Sequence, residues 1–147
     1  MMGNDNASRI RRVVMQGIVG KDAAYIRSAL HDDFRFHGFS MGDHDSEGYL
    51  AALTGFWRAF PDLVSNVEDV IVQDDRVAIR VTATGTHNGP FAGIAATGKP
   101  ITFTDFTIYR LANDGRIAEQ WTIVDVPTIL AQLQPQDSGC VEAKAQP

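Results

Sequence analysis

The sequence has little cysteine, and this scarcity excludes two kinds of protein. Cys140 is the single cysteine among 147 residues, so neither a disulfide framework nor a thiolate metal cluster can form within the chain. Positive charge is also scarce, because 13 Lys and Arg stand against 18 Asp and Glu, for a net charge of −5. Nucleic-acid recognition draws on clustered Lys and Arg, and the arginines at residues 9–12 are typical of a solvated helix face. We therefore expect no nucleic-acid partner.

Long apolar runs are absent as well. No stretch approaches the ~20 apolar residues that span a bilayer, and residues 1–8 lack the apolar segment of a secretory signal. These observations predict no membrane association and a cytoplasmic location. No pair of histidines has metal-ligand spacing on one helix face, so we also expect no metal site.

The sequence does contain enough apolar residues for one packed domain. Hydrophobic residues make up 44% of the chain, which is ordinary for a folded protein of this length. We predict a single domain over residues 1–134, followed by a polar, flexible tail over residues 135–147.

The hydrophobic period changes along the chain from the helical value to the strand value. Spacings of three and four predict three helices, the third capped by Ser46 and stopped by Pro61, with a short strand at residues 34–37 before it. From residue 64 onward, alternation predicts four longer strands, and a short helix follows Pro127. Segregated helices and strands indicate an α+β fold, in which a curved antiparallel sheet wraps around three helices as a cone with an internal pocket.

The predicted strand that contains Asp105 carries this carboxyl group on a largely apolar face. Alternation puts Asp105 on the same face as Thr107 and Tyr109. A carboxylate among apolar neighbours is costly to ionise unless it is paired. The row therefore predicts a cavity wall, with Asp105 as a catalytic acid or base. The alternatives are an aspartate on a solvent-exposed face and a structural carboxylate paired with Arg80 or Arg110.

Four other side chains have both a functional and a structural interpretation. His37 follows the short strand near the expected cavity mouth, where an imidazole can orient a carbonyl or transfer a proton; the alternative is a surface histidine. Trp57 and Phe60 are either core residues or part of a substrate wall. His87 lies in a Gly-rich segment, residues 85–99, that we interpret as a loop gating the pocket, with a simple turn residue as the alternative.

Several spaced motifs resemble one known family. They are GYL at 48–50, FPDL at 60–63, GTHNGPFAGI at 85–94, TGK at 97–99 and DGRIAEQW at 114–121. In these motifs the chain resembles the SnoaL-like polyketide cyclases (ester cyclases) of the nuclear transport factor 2-like superfamily. The resemblance implies a cystatin-like α+β barrel. It also implies, for the antibiotic cyclases, an intramolecular aldol ring closure in which an aspartate on the last strand acts as acid and base without metal or cofactor.

The residues at the family's functional positions differ from those of the cyclases. The position of the cyclase aspartate is occupied by Thr122 in this chain. The positions of a cyclase glutamine and a cyclase histidine are occupied by Asp105 and Thr107. Threonine cannot replace a carboxylate as a base near neutral pH, so either another carboxylate acts or the chemistry differs. If the family register holds, Gln120 and Thr122 face the cavity and Trp121 packs outside or against a partner subunit; a one-residue slip would exchange the two sets.

The leading hypothesis is a cofactor-free enzyme that cyclises or isomerises a hydrophobic, oxygenated small molecule of polyketide type. Asp105 would move the proton, and substrate oxygens would be held by Thr107, Tyr109, Thr122 and His37. One alternative is a non-catalytic small-molecule binder, which the loss of the cyclase aspartate favours. Another is an epoxide hydrolase or epoxide-opening cyclase, which needs two carboxylates with an arginine between them.

A homodimer is also expected. The resemblance implies it, and the open face of the predicted sheet carries Phe106, Ile108 and, in one register, Trp121, which are large apolar side chains for a surface in contact with water.

Overall fold

The protein has an α+β architecture, shown by a computed structural model that describes residues 2–135, with side chains from residue 5. Residues 136–147, most of the predicted tail, lie outside this range. The described helices are α1 (Met2–Arg12), α2 (Ala23–Ala29), α3 (Ser46–Ala59) and α4 (Val126–Leu133), and a π-helical segment, Val13–Val19, continues α1. The strands are β1 (Leu30–His37), β2 (Asp43–His44), β3 (Val64–Gln73), β4 (Arg76–Thr86), β5 (Pro100–Leu111) and β6 (Ile117–Val124). None of the described helices is long and apolar enough to cross a membrane.

Aspartate side chains fix where three of the helices begin. Asp22 accepts a hydrogen bond from a backbone N–H in the first turn of α2, and Asp45 and Asp125 do the same for α3 and α4. Such caps satisfy N–H groups that have no partner within the helix. The predicted cap of α3 at Ser46 is therefore wrong by one residue, because the carboxylate of Asp45 takes the N–H of Gly48 at 3.0 Å.

The six strands form one sheet in the order β2-β1-β6-β5-β4-β3. Neighbours from β3 to β6 pair antiparallel, as the hairpin signals predict, but β1 and β6 pair parallel, so the sheet is mixed. The register shifts once within the β1–β6, β3–β4 and β5–β6 pairs. Such irregularities increase the local twist and bend a sheet, which helps this one to curve around the helices.

The interior of the cone is divided into two apolar clusters. The larger joins the inward residues of β4, including Val77 and Ile79, to Val14 and Ile26 of the helical layer. The smaller joins Phe60 to the beginning of β5 and to α4. Phe103 belongs to this second cluster and also faces the space between the two, so the site described below lies where they meet.

The loop at residues 87–99 is docked against the end of α3. The backbone N–H groups of Asn88 and Gly89 both donate to the carbonyl oxygen of Ala59, at 3.0 and 3.1 Å. Phe91, further along the loop, packs on Phe56 and Phe60, with ring centroids 5.5 and 5.3 Å apart. A Cβ atom added to Gly89 would overlap the carbonyl oxygen of Arg58, so this approach requires glycine.

Gly89→Ala should destabilise the protein because the new methyl group cannot be accommodated without separating the loop from α3. We expect a loss of about 1–3 kcal/mol in the free energy of unfolding, as in other overpacked sites. The matched control is Gly55→Ala in α3, where an added Cβ meets nothing within 4 Å. Alanine there should stabilise the helix by up to about 1 kcal/mol. Equal effects of the two substitutions in urea denaturation would contradict the docking.

Candidate active site

A cavity of about 90 Å³ lies between the inner face of the sheet and the helices. Its helical side is apolar and is formed by Val14, Ile18, Leu53 and Phe56. Its sheet side carries a group of polar side chains on two neighbouring strands, β5 and β6: Asp105, Thr107, Tyr109, Gln120 and Thr122. An apolar cavity with a few convergent polar groups is the usual form of a small-molecule binding site.

Asp105 is the one carboxylate among the residues that line this cavity. It stands on β5 opposite Val81 of β4 and Val124 of β6, between apolar neighbours on both sides. No hydrogen bond or ion pair to its side chain is found within residues 2–135. Burial without a partner disfavours the charged form and raises the pKa of Asp105 from 3.8 to about 7.

The arginines considered as partners for Asp105 lie on the other face of the sheet. Nε of Arg80 donates to Asp69 at 2.7 Å, and the guanidinium of Arg110 binds Glu119 at 3.1 Å. Strand alternation explains this, because both arginines have the opposite parity to Asp105 in their paired strands. The prediction of a structural ion pair for Asp105 is therefore wrong, and the prediction of a cavity wall is confirmed.

A hydrogen-bonded row holds the polar end of the cavity. Nε2 of Gln120 donates to Oγ1 of Thr122 at 3.1 Å and to the hydroxyl of Tyr49 at 3.4 Å, and Thr122 and Thr107 share a hydrogen bond of 2.9 Å. Gln120 and Thr122 are both buried. The register that points these two side chains inward is thus confirmed, and Trp121 lies on the outer face, where Arg76 sits over its ring.

Two tyrosine hydroxyls complete the polar end. Burial raises the pKa of Tyr49 to about 12, the hydrogen bond from Gln120 opposes this, and the nearby charge of Asp105 adds to it. Burial, with the charges of Tyr49 and Asp105, raises the pKa of Tyr109 well above its usual value. Both hydroxyls therefore stay protonated at neutral pH and can act as hydrogen-bond donors beside Asp105.

Sequence reasoning named Tyr109 but missed Tyr49 as a site residue. Tyr49 belongs to the apolar stripe of α3, and such a position is usually occupied by a core residue. The ring does pack in the core, 4.7 Å from that of Phe36, while the hydroxyl reaches the cavity. The available signal was a tyrosine hydroxyl in a stripe that otherwise consists of leucine, phenylalanine and tryptophan.

His37 does not reach the cavity, so its expected place at the mouth is wrong. Phe34 and Phe36 of β1 point inward, and alternation sends His37 to the outer face. There its Nε2 bonds Glu119 at 2.7 Å and its ring stacks on that of Trp121. The interpretation as a histidine outside the site fits this position.

Three further predicted residues also lie outside the cavity lining. Trp57 is packed against the core, where its Nε1 donates to the carbonyl of Ile18 at 3.1 Å. Phe60 is completely buried in the second apolar cluster. His87 is completely buried beside Phe60, and its Nδ1 accepts the N–H of Thr97 at 3.1 Å. It ties the two ends of the loop together instead of covering an entrance.

The lining also lacks the arrangement required by an epoxide-opening site. Such a site needs two carboxylates with an arginine between them, whereas the described lining has Asp105 and no arginine. Nor does any group of three His, Cys, Asp or Glu within residues 2–135 form a metal-binding cluster.

Comparison with known proteins identifies the family. The model of the SnoaL-like polyketide cyclases matches residues 8–133, so the chain belongs to the SnoaL-like polyketide cyclase family, as its motifs predict. No curated protein matches the sequence.

Solved structures share the whole fold. IdmH from Streptomyces antibioticus, a candidate polyketide cyclase, is 31% identical, with a TM-score of 0.78 over 87% of this chain and 97% of its own. A candidate SnoaL-like polyketide cyclase from Jannaschia sp. CCS1 is 25% identical, with a TM-score of 0.83 over 90% of this chain and 95% of its own. AclR from Streptomyces galilaeus, a candidate hydroxylase, is 24% identical, with a TM-score of 0.82 over 90% of this chain and 99% of its own. At this identity the comparison supports a shared fold and nothing further.

Asp105→Asn should stabilise the protein at neutral pH. Because the pKa of Asp105 is raised from 3.8 to about 7, the folded wild type keeps a proton that the unfolded chain releases between these values. Its free energy of unfolding therefore falls as the pH rises through this window and is then level. The advantage of the asparagine variant should grow over the same window to at most about 4 kcal/mol, at about 1.4 kcal/mol per pKa unit.

Urea denaturation at a series of pH values measures this advantage. The matched control is Asp69→Asn, which removes a surface ion pair with Arg80 and should instead cost up to about 1 kcal/mol. A wild type that remains more stable than Asp105→Asn above neutrality would show that the carboxylate is not desolvated.

Proposed function

We propose that this protein is a cofactor-free acid–base enzyme that closes or isomerises a ring in a small, oxygenated, hydrophobic molecule of polyketide type. The observation that carries the proposal is an unpaired carboxyl group, Asp105, in an apolar cavity, with a pKa of about 7. A general acid and base works best when its pKa is near the working pH. Membership of the SnoaL-like polyketide cyclase family supports the same class of reaction.

The proposed reaction requires a single group to take up and return one proton. As a carboxylate, Asp105 removes a proton from carbon next to a substrate carbonyl. The resulting enolate attacks a second carbonyl of the same molecule, a carbon–carbon bond forms, and the new alkoxide takes the proton back from Asp105. The hydroxyls of Tyr49 and Tyr109 lie close enough to Asp105 for its charge to raise their pKa values, so they can stabilise the enolate oxygen as donors.

The position of the carboxyl group differs from that of the antibiotic cyclases, where the acid–base aspartate corresponds to Thr122. In this chain Thr122 pairs across the strands with Thr107, and Asp105 lies two residues from Thr107 on the same face. The carboxyl group therefore moves by one strand without leaving the cavity. This makes Asp105 the candidate for the proton transfer that the cyclases assign to their last strand.

The elimination of 5-nitrobenzisoxazole tests Asp105 without knowledge of the natural substrate. A base removes the carbon-bound proton of this compound while its nitrogen–oxygen bond breaks to give a coloured cyanophenolate. We expect kcat/KM to rise with pH around a midpoint near 7 and then level off, because the ionised carboxylate is required. Asp105→Asn should lower kcat/KM by about 10²–10⁴-fold.

The surface variant Asp69→Asn serves as the control and should keep the wild-type rate, since Asp69 lies on the outer face. A midpoint near pH 4, or an Asp105→Asn variant as active as the wild type, would contradict the proposal. Tight binding of the compound with no more turnover than free acetate gives would instead favour the second candidate function, a small-molecule binder without catalysis, which the threonine at position 122 supports.

We also propose a homodimer through the outer face of the sheet. Phe106 lies opposite Ile123, and Ile108 lies opposite Trp121, so four large side chains adjoin on β5 and β6. Phe106, Ile108 and Ile123 are 57%, 44% and 55% exposed. Exposure of such a contiguous apolar patch to water is costly unless a partner covers it.

Phe106→Glu should convert the dimer into a monomer, because a carboxylate would be buried in the contact. Sedimentation at micromolar concentration measures the mass of each. Met15→Glu, at an exposed position of the π-helical segment, is the control and should remain a dimer. A monomeric wild type at this concentration would end the proposal.

A further inference from the structure

The carbonyl oxygen of Gln120 is a buried hydrogen-bond acceptor without a partner. Within residues 2–135, Oε1 of Gln120 and Nε2 of His87 are the two buried side-chain polar atoms that make no hydrogen bond. Gln120 is only 3% exposed and lines the cavity. Buried polar atoms are satisfied in the great majority of cases, so an unpaired acceptor in a cavity wall marks a place where a bound molecule supplies the donor.

The other end of the same amide is fully used. The two protons of Nε2 go to Thr122 and Tyr49. Thr122 accepts a bond from Gln120 and can donate its own proton to Thr107, which continues the row. This network holds the amide plane in one orientation, and Oε1 is what remains for a ligand.

Hydroxyl protons at the cavity wall also lack an acceptor among residues 2–135, and Tyr109 is one residue that carries such a proton. The oxygen of Tyr49 accepts from Gln120, and no described residue accepts the proton of Tyr49 in turn. With Thr122 as the donor of its bond to Thr107, the hydroxyl proton of Thr107 likewise has no acceptor among the described residues. Besides the carboxyl group of Asp105, the polar end of the cavity thus offers one further acceptor, Oε1 of Gln120, beside the hydroxyl donors of Tyr49, Tyr109 and Thr107.

We propose that the cavity recognises a compact molecule that carries both a phenolic or enolic hydroxyl and a carbonyl. The hydroxyl donates to Oε1 of Gln120, and the carbonyl oxygen accepts from Tyr49. Gln120 is then a specificity residue that selects a ligand with a hydroxyl proton. The inference rests on the proposed function, since it assigns the substrate features that the same cavity reads.

The size of the cavity limits the ligand. At about 10–15 Å³ per water molecule, its volume of about 90 Å³ has room for about six to nine waters. This corresponds to a single ring with two oxygen-bearing substituents. We therefore choose 3′-hydroxyacetophenone as the test compound, because its hydroxyl and carbonyl groups are too far apart to bond each other.

Isothermal titration calorimetry compares this compound with 3′-methoxyacetophenone, which keeps the oxygen but lacks the proton, and with acetophenone, which lacks both. The wild type should bind the hydroxyl compound about tenfold more tightly than either analogue, the value of one neutral hydrogen bond. In Gln120→Leu the three affinities should agree within about twofold. The control Gln73→Leu, at an exposed position at the end of β3, should keep the preference.

Asp105→Asn separates this inference from the proposed function, because binding needs no proton transfer. The inference stands if Asp105→Asn keeps the preference for the hydroxyl compound, whether or not catalysis is found. It is overturned by equal affinities in the wild type, by no binding of 3′-hydroxyacetophenone at millimolar concentration, or by a preference that survives in Gln120→Leu. If Gln120→Leu does not fold, as judged by circular dichroism, Gln120→Met takes its place, and the wild-type comparison alone can overturn the inference.

Discussion

A single constraint of strand geometry organises this protein: alternate residues of β5 must face the interior, and one of them is an aspartate. The same alternation sends Arg80 and Arg110 to the outer face, where they pair with other carboxylates. Asp105 is therefore half-buried among apolar side chains, no cation within residues 2–135 pairs with it, and the desolvation of its carboxyl group raises its pKa to about 7. The ionised form of Asp105 lowers the stability of the folded protein. The same raised pKa suits the proposed acid–base chemistry, so stability and catalysis favour different environments for this carboxyl group.

The surrounding structure keeps this carboxyl group in a defined place. Helical residues such as Phe56 supply an apolar wall, and the loop at residues 87–99 packs behind that wall through Phe91. Across the cavity, Gln120 and the threonines form a row of hydrogen bonds that fixes the polar end. In the proposed function, the apolar wall would contact the body of the small molecule, and the oriented polar groups would bind its oxygens. The chain belongs to the SnoaL-like family, and its cavity carboxyl group, Asp105, lies on β5.

Local patterns in the sequence predicted the parts of the fold that depend on local physics. The strand period placed Asp105 on one face with Thr107 and Tyr109 and left open whether that face lines a cavity, and turn chemistry placed the hairpins. The inward direction of Gln120 followed from the family resemblance, because alternation alone allows two registers for β6. The parallel pairing of β1 with β6 depends on which strands meet in space, and no local pattern records that. The missed role of Tyr49 has a similar cause, since an apolar stripe does not show where a single hydroxyl ends. The outward direction of His37, in contrast, was available from the inward pair Phe34 and Phe36.

The proposed function depends on the ionisation of Asp105, and carbon-13 nuclear magnetic resonance can observe this ionisation directly. The carboxyl carbon of Asp105, assigned by its disappearance from the spectrum of Asp105→Asn, can be followed through a pH titration. We expect a midpoint near pH 7, about three units above that of an ordinary aspartate. A midpoint near 4 would mean that water or an unseen partner solvates the carboxylate, and it would contradict both the buried acid and the function built on it.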